Sequence, residues 1–189
     1  VELFPAKLRP IETMKTIRLF LTALAGLAAA HAGFAAGPAA SPDNQTEVIF
    51  SHPEKFADVR NTYAENDKDR DAILAQLKDY LVQRSKDYIP AGQKLVITVT
   101  DVDMAGDFEP WRGPQMTDVR IVKDIYPPKV DLEFRLTGAD GKVVKEGKRQ
   151  LRDLAFMMKA NTAATDNLRF EKALLDDWLR ADFPRAKSG

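Results

Sequence analysis

Cysteine is absent from all 189 residues. That removes disulfides, thiolate metal sites, cysteine nucleophiles and the lipid-modified cysteine of a bacterial lipoprotein. Histidine is nearly absent, with only His31 and His52. Net charge is missing too: 28 Lys+Arg stand against 28 Asp+Glu, so the basic footprint of a nucleic-acid binder is lacking and no nucleic-acid partner is expected. Long apolar runs are scarce. Leu19 to Ala30, interrupted only by Thr22, falls short of the roughly 20 residues a spanning helix needs, so no membrane span is expected in the mature chain. The chain contains no P-loop, G-x-G-x-x-G, H-E-x-x-H or G-x-S-x-G, which leaves no cofactor or metal to expect and no catalytic residue to name. What is present, 44% hydrophobic residues in 21.1 kDa, is enough to bury the core of one globular domain.

The apolar run has a telling context. Met14, Lys15 and Arg18 precede it and small residues follow it, the three-part layout of a secretory signal peptide. The small-x-small rule fits before Gly33 and before Ala36, and the second site, after Ala35, is preferred. Residues 14–35 are therefore expected to be a signal peptide, and residues 1–13 an artefact of a misplaced gene start. Cleavage would remove 35 of the 189 residues, with four basic and two acidic side chains, leaving 154 residues with 24 basic and 26 acidic. His52 would be the sole remaining imidazole, so no mechanism could use two. The expected location is the periplasm.

Residues 36–46, rich in Gly, Pro, Ala and Ser, read as a flexible spacer. Val48–Phe50 reads as a strand stopped by Pro53. Asn66 and the acids after it supply a cap, and Ile73, Leu74, Leu77, Tyr80 and Leu81 keep one face apolar, which predicts a helix over 68–87. Leu95, Ile97 and Val99 alternate with polar residues, so a strand–helix–strand crossover between parallel neighbours is expected. Val130–Leu136 alternates again, and Gly138–Gly141 is a hairpin turn, which sends Lys142–Leu151 back antiparallel. Val119–Ile125 reads as a short strand and 167–182 as a helix. These elements predict the α+β class: a single domain over 47–184 with a mixed sheet of four or five strands, two helices covering one face, and a disordered tail over 185–189.

The densest polar segment runs from Asp101 to Pro114. Asp101, Asp103 and Gly106 match a calcium loop, but Ala105 and Arg112 stand where the fifth ligand and the bidentate glutamate belong. A looser oxygen-ligated site over Asp101, Asp103, Asp107 and Glu109 remains as a minor alternative. Strand parity carries Asp101 and Asp103 to the core side with Leu95, Ile97 and Val99. Burying two unpaired carboxylates costs several kcal/mol, so a bulge near Thr100 is expected to flip the phase. Otherwise Arg112, Arg120 or Arg152 would have to pair with them. Phe108 and Trp111, with Asp107, Glu109 and Arg112, suggest a recognition loop, whereas the plainer reading folds Trp111 onto the core edge. The basic stretch Lys142–Arg152 reads first as a charge-protected sheet edge. Phe156, Met157 and Met158 read as core. Ser51 beside His52 carries no implied triad geometry.

The segment Thr98 to Gly113, together with Val119–Pro128, Leu151–Met157 and Glu171–Leu179, resembles the bacterial family catalogued as domain of unknown function 3016. The resemblance covers about Val48 to Phe183 and implies an exported single domain, without supplying an activity. The functional expectation is a non-enzymatic envelope protein that binds a partner protein or small ligand through a loop drawn from Asp101, Asp103, Asp107, Phe108, Glu109, Trp111 and Arg112. The alternative is a carboxylate-dependent hydrolase acting on an envelope polymer.

Overall fold

The computed structural model describes residues 45–64, 66–159 and 165–183. The expected upstream segment, signal peptide, nearly all of the spacer and the tail lie outside the described residues. The elements follow in the order β1 (Thr46–Phe50), α1 (Asp67–Ser85), β2 (Lys94–Asp103), β3 (Asp107–Phe108), β4 (Arg120–Ile121), β5 (Lys129–Thr137), β6 (Val143–Arg152) and α2 (Arg169–Asp182). β1, β2, β5 and β6 form one mixed sheet in the order β1-β2-β5-β6, while β3 and β4 make a separate two-stranded ribbon. The fold is α+β, as the sequence pattern predicts.

The crossover is present: β1 and β2 pair in parallel across α1. Asn66 caps α1 by accepting a hydrogen bond from the Lys68 N–H at 2.9 Å. β1 begins one residue earlier than the spacer reading allows, because Thr46 is buried and its hydroxyl bonds that of Ser85 at 2.7 Å. That contact ties the first strand to the last turn of α1. β5 and β6 form the expected antiparallel hairpin, closed by Gly138 N–H donating to the Lys142 carbonyl.

One sheet face is apolar. Leu95, Ile97 and Val99 of β2 lie opposite Leu136, Phe134 and Leu132 of β5. They share one cluster with Leu77 and Leu81 of α1 and Leu175, Trp178 and Leu179 of α2, so both helices cover that face. β6 is an edge, and its basic residues are partly engaged: Lys145 and Arg149 both bond Asp182 at the end of α2. Burial opposes ionisation of Asp182, but the hydrogen bonds from Arg149 and Lys145 prevail and lower its pKa.

The phase flip near Thr100 is present. The β2–β5 register shifts between Val99 and Asp101, and Val102 and Met104 are buried as a result. Two expectations need correction. Of the Val119–Ile125 segment only Arg120–Ile121 is strand, because a turn closes at Tyr126, whose N–H donates to the Lys123 carbonyl. Phe156 is buried against Phe170, but Met157 and Met158 are exposed. They sit on a short 3-10 turn, where only Phe156 faces inward.

Candidate functional site

Where β2 ends, Gly106 makes the chain double back. Its φ of 81° is left-handed, and a Cβ there would stand 2.8 Å from the Ile121 carbonyl oxygen. Glycine therefore lets β3 lie tightly against β4. Asp107 opposes Ile121 and Phe108 opposes Arg120.

Phe108 is buried at 2% exposure. The Arg120 guanidinium carbon lies 4.6 Å from its ring centroid and that of Arg60 lies 5.2 Å away. Asp58 holds both cations: Arg120 reaches its two oxygens at 2.9 and 3.1 Å, and Arg60 donates at 3.0 Å. Arg120 also donates to the carbonyls of Gly106 and Arg60. Such a node, with planar donors sharing one carboxylate, fixes geometry as well as energy.

Glu109 is buried to the same degree and works as a second node. It accepts from Lys123 at 2.5 Å, from the Tyr126 hydroxyl at 3.1 Å, and from Arg112. The Lys123 hydrogen bond does most to hold its carboxyl below the ordinary range, with Arg112 and Tyr126 adding to it against the cost of burial. Glu109 thereby pins the start of the 3-10 turn Pro110–Arg112 to the 123–126 turn. Trp111 projects from that pinned turn at 72% exposure, and the Arg112 side chain is about half exposed. Trp111 does not cover the core edge, contrary to the plainer sequence reading.

The seven expected site residues do not meet in one cavity: Asp101 and Asp103 line one cleft, and Asp103 and Asp107 line another. Asp101 accepts from the N–H groups of Ala57 and Val102 at 2.8 and 2.9 Å. Asp103 pairs with Lys129 and not with an arginine. Asp107 caps the Phe108 N–H at 2.7 Å and faces Arg60 at 3.8 Å. Phe108 and Glu109 are interior supports, while Trp111, Arg112 and part of Asp107 face outward. Among the described residues no group of three or more His, Asp or Glu is arranged to hold a metal ion. Ser51 and His52 are 3.0 Å apart at Oγ and Nδ1, and among the described residues no carboxylate bonds the ring to complete a triad.

Sequence reasoning missed Asp58, Arg60, Lys123 and Tyr126 as the loop's supports. Arg120 drew notice only as a possible partner for Asp101 or Asp103, and it bonds Asp58 instead. No helix among the described residues is long and apolar enough to cross a membrane.

A single α+β domain with a pinned, outward-facing aromatic loop is the class these features define. Residues 44–181 match the family model described as Protein of unknown function (DUF3016), and the chain belongs to that family. No curated protein and no solved structure matches the chain.

Proposed function

We propose that this chain is an exported, non-enzymatic protein of the bacterial envelope, working in the periplasm, that binds a partner protein or small ligand through Trp111 and Arg112. The observation that carries this reading is the contrast within one loop: Trp111 is exposed while Glu109, two residues earlier, is buried and triply bonded. A large aromatic left in water on a fixed support loses little conformational freedom on binding, and Trp and Arg are the side chains that most often anchor interfaces. Export rests on the signal-peptide pattern of residues 14–35.

The hydrolase alternative is less well supported. A general acid must hold its proton near neutral pH and reach substrate. The Glu109 carboxyl is lowered, and Glu171, whose carboxyl burial raises, is closed to solvent.

Chemical crosslinking in intact envelope with the wild type and with a Trp111→Ala/Arg112→Ala variant tests the loop. Loss of a discrete adduct in the variant, with Tm unchanged, is the expected result; an identical adduct pattern would remove the loop's role. Mass spectrometry of the mature N-terminus is expected to find Ala36, and a retained Met14 would remove the export claim.

A further inference from the structure

We infer that the polar face of the sheet, where β2, β5 and β6 run side by side, is a binding site for a small zwitterion of dipeptide length. The strand register builds two rows across this face. One row is Asp101, Asp131 and Gln150; two residues along the strands the next is Asp103, Lys129 and Arg152. The β2 bulge creates the first row. With regular pairing continued from Val99 and Leu132, Thr100 would stand opposite Asp131; the shift puts Asp101 there and returns Val102 to the core.

Two carboxylates directly opposite one another oppose folding, and among the described residues no cation pairs with either of them. Among the described residues Asp101 accepts from the backbone N–H groups of Ala57 and Val102, and Asp131 from the Gln150 amide at 3.4 Å. The second row has the complementary gap. Lys129 is taken by Asp103, whereas Arg152 is exposed and has no carboxylate partner among the described residues. Unmatched negative and positive charges thus lie next to each other on one surface.

A cleft of about 540 Å³ opens over both rows, walled by Ala57 on one side and by Leu151 and Arg152 on the other. That volume is in the range of small-molecule sites. Asp131 and Arg152 sit on adjacent strands two residues apart along them, a backbone separation of about 8 Å once the strand spacing of about 4.8 Å is combined with a rise of about 7 Å. The ammonium and carboxylate of a dipeptide, separated by roughly two extended residues or about 7 Å, span that gap with the Arg152 side chain reaching toward the carboxylate. The ammonium would meet Asp101 and Asp131, and the carboxylate would take the planar fork of Arg152. This surface is separate from the Trp111 turn, so the two sites stand or fall independently.

The test is an NMR titration of the full chain with dialanine, its N-acetyl form, which lacks the ammonium, and its C-terminal amide, which lacks the carboxylate. Dialanine is expected to shift the amide signals around Asp101, Asp131, Gln150 and Arg152 saturably, with a Kd of about 1 mM. Either blocked form should bind at least about fivefold more weakly, as should Asp131→Asn and Arg152→Gln. Asp131→Asn should also raise Tm, by about 2 °C, because it relieves the opposed charges. The absence of a saturable shift up to about 10 mM dialanine, equal affinity for a blocked form, or a lowered Tm in Asp131→Asn would overturn the inference.

Discussion

Glu109 and Glu171 show how differently two buried carboxylates can be treated. Glu109 has three donors around it and a lowered pKa. Glu171 accepts from the Ala105 N–H at 2.7 Å, but its second oxygen has no partner, and burial raises its pKa. The consequences for stability have opposite signs. The folded state keeps the Glu171 proton where the unfolded chain has already released it, so this carboxyl favours folding fully only at low pH and progressively less as pH rises above the ordinary carboxylate range. A Glu171→Gln variant is therefore expected to lose that decline: its Tm relative to wild type should be higher at neutral pH than in acid below the ordinary carboxylate range, as read by thermal melts across about four pH values. For Glu109→Gln the gap should run the other way, with wild type ahead at neutral pH and the difference shrinking in acid. Gly106 is the other critical position. Alanine there meets both a left-handed φ and the Ile121 carbonyl, so Gly106→Ala should cost about 2 to 3 kcal/mol in urea unfolding.

Among the elements, α1 and the β5–β6 hairpin were legible because each repeats one period long enough to be read, and each has its own stop signals. The Asn66 cap belongs to that legible set; Asn66→Ala is expected to lower stability by about 1 kcal/mol in the same urea assay. The bulge in β2 was legible by contradiction, since regular alternation would have pushed Asp101 into the core. The supports of the Trp111 loop were not legible. Asp58 and Arg120 are 62 residues apart, and an ion pair at that separation leaves no local pattern. Trp111 itself sits among prolines and glycines, where no period tells inside from outside. Met157 and Met158 mislead for the same reason: apolar side chains in an irregular turn have no face to belong to, and only Phe156 finds the interior.

At the scale of the whole molecule, stability has to come from non-covalent contacts, the core foremost, because the chain has no cysteine to cross-link it. The main part of that core is one connected cluster from β1 to Phe183, with a small satellite of Ala105, Phe156 and Phe170 beside it, so unfolding should be a single transition. Leu95, fully buried in β2, lies at its centre, and Leu95→Ala is expected to cost about 2 to 5 kcal/mol. Far-UV circular dichroism and fluorescence should then lose signal at one shared, lowered midpoint; separate midpoints would count against a continuous core. The fluorescence has a structure of its own. The chain has two tryptophans. Trp178 is buried against Phe134 and Phe183, and Trp111 stands in water on its turn. One indole should emit blue and resist acrylamide, and the other should emit red and be quenched freely. The protein thus carries two built-in optical reporters, Trp178 for whether the chain is folded and Trp111 for whether its loop is occupied.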